Sequence, residues 1–389
     1  EIHMKKFYGI AALVSIAWMG SAQADSLPAP GKATVGGIKV HGLVDTYYQY
    51  NFNHTSTSTT PATQASVGQA GQPQASRRAY DTGNRQFEIN QATVGLSADA
   101  NPVGFDVRFG VGNQLEILNA GTGSSEATMK HLRKATVSWA PGAFSMVAGR
   151  MDADFGFERI DSVDNWNYGR SLGFVYNQPK FLTGLKLGYD FGSVDASVGY
   201  VNGVDKYNDN NQQGSYSLAL DWSNGSKTSA SFNYLVGPER YEIGREMRHY
   251  VNVNGKHWYS DTFALGADLN FNRGRNEVIR PESATVTIRR ETVNWYSVAA
   301  YAYTSFLADH WDTLRVEWLR DEMGYIEQLD RGNNFISGTV THKYAVSKNL
   351  SLLGELRWDH STRNAFLNGA RELTRDNQVT MLAAATFQI

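Results

Sequence analysis

From Ile38 onward the chain exchanges apolar for polar residues at almost every step. In "IKVHGLVDTYYQYNF", Ile38, Val40, Val44, Tyr48 and Tyr50 share one parity, and Lys39, His41, Asp45 and Gln49 the other. In "FALGADLNF", Phe263, Leu265, Ala267, Leu269 and Phe271 oppose Asp268 and Asn270; "LSLLGELRWDH" sets Leu350, Leu352, Leu356 and Trp358 against Glu355, Arg357 and Asp359. A two-residue period is that of a strand with one apolar face, and no 3.6-residue period competes with it. The alternation slips between Ile89 and Ala92 in "FEINQATVGL", where a β-bulge is predicted. Even the last segment is regular. Val379, Met381, Ala383, Ala385, Phe387 and Ile389 oppose Gln378, Thr380, Thr386 and Gln388, with Leu382 and Ala384 as exceptions.

The connections alternate in length. Short ones fall at Asp99–Pro102, Ala140–Ala143, Gly192–Ser193, Ser223–Ser226, Tyr259–Asp261, Leu307–His310 and Val346–Lys348. Long ones run from Asn53 to Asn84, Asn113 to Met129, Asp152 to Thr183, Gly203 to Gly214, Gly237 to Met247, Asn272 to Arg289, Met323 to Gly332 and Ser361 to Arg375. This pattern places all long loops at one end of an up-and-down antiparallel sheet of about 16 strands. So wide a sheet does not stay open, because sheets beyond about ten strands curl or split and free edges invite aggregation. The predicted fold is therefore all-β, a transmembrane up-and-down antiparallel β-barrel. Lipid outside requires every backbone group to be satisfied by closure. It also sends the charged parity inward, since Arg or Lys at mid-membrane costs about 2–4 kcal/mol. The predicted lumen-facing residues are Lys39, Asp45, Arg108, Lys134, Asp190, Asp221, Asp268, Arg315, Glu317, Lys343, Glu355 and Arg357. The outward parity carries aromatics near strand ends, as interfacial girdles require: Tyr48, Tyr50, Trp139, Tyr189, Tyr200, Trp222, Tyr234, Tyr301, Tyr303, Trp318, Trp358 and Phe387.

Composition narrows the function classes. The 389 residues include no cysteine, which removes disulfide scaffolds, thiolate zinc sites and cysteine nucleophiles, and a net charge of −2 argues against a nucleic-acid partner. Residues 1–3 precede Met4 and read as a cloning scar. Residues 4–24, "MKKFYGIAALVSIAWMGSAQA", have the basic start, apolar stretch and A-x-A site of a secretory signal peptide. Residues 25–37 are then a short periplasmic segment and 38–389 a single barrel. Past Ala24 no apolar run approaches the roughly 20 residues of a membrane helix.

The middle of the chain carries more specific text. "FSMVAGRMDADFGFERIDSVDNWNYGRSLGFVYNQPKFLTGLKLGYDF", "VGYVNGVDKYNDNN" and "NYLVGPE" contain a Gly-Arg strand end, an "FGFE" segment, "NYGRSL", a "TG" re-entry and "NGVD". Over roughly Phe87 to Phe271 the chain resembles the outer-membrane β-barrel porin-2 (OmpL-like) family of Gram-negative bacteria. The resemblance implies a water-filled diffusion channel for small hydrophilic solutes and ions, without cofactor or metal. It implies that the third long loop, Asp152–Thr183, folds inward and narrows the pore. The constriction would be drawn from Asp152, Asp154, Glu158, Asp161, Asp164, Arg150, Arg159 and Arg170. Opposed charges across such a gap set up a transverse field, and five acids against three arginines suggest mild cation preference. Outer-membrane lipid, lipopolysaccharide and the barrel-assembly machinery are the expected partners. Phe387 and Ile389 stand where that machinery reads its substrates, although Ile replaces the usual terminal Phe. A homo-trimer is the candidate assembly, which the residues leave open.

Other chemistries leave traces. His249, His257, Ser260 and Asp261 could build a hydrolytic site on an enzymatic barrel, provided a nucleophile and a base meet. "DKYNDNNQ" and "DADFGFERIDSVD" are acid-rich, without the ligand spacing of an EF-hand. Arg273, Arg275, Arg280, Arg289 and Arg290 surround one long loop and suit lipopolysaccharide phosphates. The Ser/Thr-rich loop from Asn53 to Asn84 would suit a plugged barrel displaying adhesive loops. The predicted function is nonetheless a passive porin and not an enzyme.

Overall fold

A computed structural model of the chain describes residues 33–35, 37–54, 78, 80–81, 83–120, 127–225, 227–240, 243–282, 285–324, 332–369 and 373–389. Residues 4–24, read above as a signal peptide, most of the other residues before Ile38, most of the first long loop and the side chains of Arg280, Arg289 and Arg290 lie outside the described residues.

Sixteen strands form the barrel: β1 (Ile38–Asn51), β2 (Gln86–Ala98), β3 (Val103–Val111), β4 (Leu132–Trp139), β5 (Phe144–Asp152), β6 (Phe181–Asp190), β7 (Val194–Val201) and β8 (Ser215–Ser223). They continue with β9 (Thr228–Arg240), β10 (Ile243–Ser260), β11 (Phe263–Glu282), β12 (Thr285–Leu307), β13 (His310–Asp321), β14 (Asn333–Ala345), β15 (Leu350–Ser361) and β16 (Asn377–Gln388). Each pairs antiparallel with its neighbours in sequence, and β16 pairs with β1, from Thr380↔Asn51 to Gln388↔Leu43. The ring therefore has no edge, and the regularity of the last segment is explained: it is the closing strand. At the seam the Ile389 N–H donates to the Gly42 carbonyl at 2.9 Å, and the Ile389 side chain occupies the space that a Cβ on Gly42 would need. The predicted bulge is present, with Asp45 opposite Gln91 but Thr46 opposite Ile89.

The apolar parity faces out. Val44, Phe87, Val94, Val103, Val137, Leu185, Val198, Leu269, Val316, Leu356 and Met381 are all exposed on the outer wall, Phe87 at 85%. A continuous apolar band of this kind far exceeds the few hundred Å² that a water-soluble surface tolerates. No described helix is long and apolar enough to cross a membrane.

Two expectations change. The segments Gly237–Met247 and Asn272–Arg289, read as loops, are mostly ladder: β9 and β10 pair up to Arg240↔Ile243, and β11 and β12 up to Glu282↔Thr285. Their polar alternation belongs to hairpins that project beyond the barrel rim. Tyr301 and Tyr303, assigned to the outer girdle, face inward. Tyr301 lies opposite Arg315 and Tyr303 opposite Thr313, and facing residues of a ladder share one side of the sheet. The two tyrosines sit on the parity of Ala299, whose smallness conceals which side is polar in β12.

Candidate channel and constriction

The third long loop leaves β5 at Asp152 and returns at Phe181, two residues that face each other across the β5–β6 ladder. Its path between them is made compact locally. The Asn165 side chain accepts the Arg159 N–H at 2.7 Å and donates to the Arg159 carbonyl at 2.9 Å. The Ser171 hydroxyl caps helix α1 (Leu172–Asn177) by accepting the Phe174 N–H.

From these roots the loop reaches the opposite wall. Register rows locate the wall residues. Tyr301, Arg315, Thr339 and Arg357 form one inward row, and Asp268, Ala299, Glu317, Ser337 and Asp359 the next. Glu355 accepts the N–H groups of Tyr168 (2.9 Å) and Gly169 (3.1 Å), and Glu317 accepts that of Leu172. Arg357 donates to the Arg170 carbonyl and Arg315 to the Gly169 carbonyl, at 2.7 and 2.6 Å. Arg315 also meets Glu158 at 2.6 Å and Glu317 at 3.2 Å, Arg357 meets Asp359 at 2.7 Å, and all five are essentially fully buried. Asp45 accepts from Ser162 and from the Tyr168 hydroxyl, and Gln178 donates to Asp268. An ion inside a protein is tolerable only when paired and hydrogen-bonded, and here the loop supplies part of that pairing.

The remaining wall differs. Side chains of Asp106, Arg108, Lys134 and Lys186 keep a sixth to a quarter of their surface open, and Asp152 and Asp154 more than a third. Between them lie small inward residues: Gly184, Gly188, Ser197, Gly199, Ser217 and Ser231. Asp221 accepts from Ser231 on this side, Lys39 pairs with Asp99 near the short-turn end, and Asp190 is exposed in the β6–β7 turn.

Most of the loop charges are engaged. Asp152 and Asp161 both meet Arg133, Asp154 meets Lys186, Glu158 meets Arg315, and Arg170 donates to the Tyr168 and Ile160 carbonyls. Arg159 donates to the Gly156 carbonyl, and Arg150 is buried with its guanidinium 3.8 Å from the Phe181 ring centre. Asp164 is exposed and forms no ion pair among the described residues. Desolvation within the confined interior and repulsion from Asp161 raise the pKa of its carboxyl above the ordinary value.

Arg133 was missed by strict alternation. A register shift opposite Arg108 and Phe109 sets two consecutive cations, Arg133 and Lys134, onto the same carboxylate, Asp152. Adjacent basic residues on a strand were the available signal, because alternation would send one of them into lipid. Also missed were inward rings. Trp258, Ala264, Tyr303, Thr313 and Thr341 form a row below Tyr301, and Trp311 faces Lys343 in the next. Leu382 and Ala384, the exceptions in the last strand, pack inward with Tyr47, Tyr168 and Leu353.

The hydrolytic constellation does not assemble. His257 meets the Thr228 hydroxyl at 2.8 Å, His249 the Tyr234 hydroxyl at 2.7 Å, and Ser260 the Thr262 hydroxyl at 3.2 Å. In the acid-rich stretches Asp205 accepts the Lys180 and Phe181 N–H groups, and Asp209 those of Asn211 and Gln212.

A closed ring of sixteen antiparallel strands, apolar outside and ion-paired inside, defines a barrel of the outer-membrane porin class. Residues 37–389 match the beta-barrel porin-2, OmpL-like family, and the chain belongs to that family. Among solved structures it is similar to the outer membrane channel DcaP of Acinetobacter baumannii, at 12% identity and TM-score 0.58, covering 92% of this chain and 100% of that one. It is also similar to an anion-selective porin from Comamonas acidovorans, at 12% identity and TM-score 0.57, covering 90% and 99%. OmpT of Vibrio cholerae aligns at 10% identity and TM-score 0.55, covering 92% and 100%. At such identities the likeness is one of fold. No curated protein matches the chain.

Proposed function

We propose that this protein is a passive outer-membrane diffusion channel for small hydrophilic solutes and ions, narrowed by the loop 152–183. The observation that carries this reading is the grip of Glu317 and Glu355 on the loop N–H groups of Leu172, Tyr168 and Gly169, on the far side of the barrel from the loop's roots. A loop held there crosses the interior and leaves the partly open charged wall as the path for solutes. Five acids against three arginines in the loop, with Asp164 exposed, favour cations slightly. Export through the signal peptide 4–24, contact with lipopolysaccharide, delivery by the barrel-assembly machinery through Phe387 and Ile389, and assembly as a homo-trimer belong to the same proposal. A related fold, OmpT of Vibrio cholerae, has been obtained in a trimer form.

The test is single-channel recording in planar bilayers, with and without the loop. Because Asp152 and Phe181 face each other at its base, residues 154–179 can be replaced by a short Gly-Ser linker. Conductance should rise roughly two- to threefold as the obstruction is removed. Unchanged conductance would defeat the constriction, and a silent wild-type barrel would defeat the channel. Reversal potentials in a salt gradient check the sign of the selectivity.

A further inference from the structure

Aromatic side chains of membrane barrels belong at the two lipid–water boundaries of the outer wall. Here a second group of rings lies inside. Trp258 and Tyr303 share an inward row, with ring centres 5.2 Å apart. Trp166, from the loop, reaches both, at 6.2 Å from Trp258 and 5.3 Å from Tyr303. Phe157, also from the loop, stacks on Tyr301 at 4.4 Å and occupies the space that Gly266 leaves by having no side chain. Trp311 stands in the next inward row, opposite Lys343. Tyr301 is buried, but Phe157, Trp166, Trp258, Tyr303 and Trp311 are only half-buried. The rings thus line the interior from the loop toward the short-turn mouth, on a wall that strand alternation reserves for polar groups.

Charges of both signs flank the patch. Lys343 faces Trp311 across the β13–β14 ladder, with its ammonium 5.8 Å from the indole ring centre, and forms no ion pair among the described residues. Asp164, two residues before Trp166, is the unpaired acid of the loop. The two are close enough for Asp164 to act on Lys343 through space, yet they are not in contact. The other charges near Asp164 are Asp161, Asp152, Arg133 and Arg108, and the first three are joined in ion pairs with one another while Arg108 pairs with Asp106. Half-buried rings beside an ammonium and a carboxylate that form no ion pair among the described residues make a surface that fits one kind of solute: an aromatic ring with both charges at one end.

We propose that the lumen holds a binding subsite for aromatic zwitterions, solutes of the aromatic amino-acid type. The ring packs on Trp166, Trp258 and Tyr303, the solute carboxylate meets Lys343, and the solute ammonium meets Asp164. This inference rests on the channel reading and names a solute class for it.

Two measurements separate the inference from that reading. In planar bilayers L-phenylalanine should reduce ion current saturably at millimolar concentration. Glycine, which has the charges without the ring, and benzoate, which has the ring and one charge, should act at least roughly fivefold more weakly, the factor of one stacked ring or one ion contact. In detergent solution, quenching of tryptophan fluorescence should follow the same order whether or not the barrel conducts. Trp258→Ala should weaken L-phenylalanine roughly fivefold, and Lys343→Gln and Asp164→Asn roughly threefold each. Lys343→Gln should bring L-phenylalanine closer to an aromatic amine such as phenethylamine, and Asp164→Asn closer to benzoate, a change that loosened packing does not produce. A conducting channel that treats the three solutes alike would overturn the subsite while leaving the channel intact, as would benzoate binding as tightly as L-phenylalanine. A silent barrel whose fluorescence keeps the expected order would sustain the subsite and remove the channel.

Discussion

The two halves of the barrel interior use charge in opposite ways. On the wall formed by β12–β16 and β1, Arg315, Glu317, Arg357 and Asp359 have almost no accessible surface, and each is held by another side chain or by a loop peptide group. On the wall formed by β3–β9, Arg108, Lys134 and Lys186 keep roughly a quarter of their surface and stand among glycines and serines. The same residue types therefore fasten a loop in one place and line a wet path in the other. What separates them is what the loop covers. Buried charges on this wall depend on loop partners arriving from 145 or more positions away, as Glu317 depends on Leu172 and Glu355 on Tyr168. Exposed charges depend on water.

The largest effect should come from breaking the gripping wall. Arg315→Met leaves Glu158 and Glu317 facing each other in the interior without their shared counter-charge, a loss of about 3–5 kcal/mol for a buried pair. The thermal midpoint of the detergent-solubilised barrel should fall, and conductance should become noisy as the loop leaves its seat. On the open wall, Lys186→Met breaks its contact with Asp154 but should change stability by less than about 1 kcal/mol, because water replaces the partner. Equal losses at the two sites would erase the distinction.

A smaller effect is expected at Gly266. A Cβ there would approach the Phe157 ring to 2.6 Å, so Gly266→Ala should displace the loop tip at about 1–3 kcal/mol, the scale of overpacking. A rise in tryptophan quenching by iodide, through exposure of Trp166, would register it. The smallest effect is one of pH. The raised pKa of Asp164 means that this carboxylate takes up its proton earlier than an ordinary acid as pH falls. Cation preference should therefore decline first through its loss, and Asp164→Asn should flatten that part of the profile without changing stability by more than about 0.5 kcal/mol.

Much of this organisation was legible before any coordinates. Alternation, loop lengths and the charge penalty in lipid placed Asp45, Asp268, Arg315, Glu317, Glu355 and Arg357 on the inner wall, where they are found. The bulge near Ile89 was visible because the parity of a long apolar run reverses there. The bulge at Arg133 left only the adjacent cations Arg133 and Lys134 as its mark, because a single extra residue beside a loop does not disturb enough of the apolar pattern. Tyr301 and Tyr303 misled for a different reason. In β12 the outward residues Ala300 and Ala302 are small and the inward ones are aromatic, so hydrophobicity alone points the wrong way. The pairing of Glu158 with Arg315, 157 positions apart, leaves no local mark at all. Strand period is a property of neighbours in sequence, whereas the seat of the loop is a property of residues that meet only after the ring has formed.

The seam between β16 and β1 has a kinetic side. Thr46 and Ala385, bonded across it, are 339 positions apart, and the ring that they complete contains every other strand. A contact of such sequence separation forms late and slowly, since the intervening chain must first be ordered. Until then the first and last strands each present a bare row of N–H and C=O groups, and the carboxylates that seat the loop have no fixed wall on which to stand. The barrel should therefore pass from open precursor to sealed ring in one late step, and a weakness at Gly42 or Ile389 would delay the whole molecule.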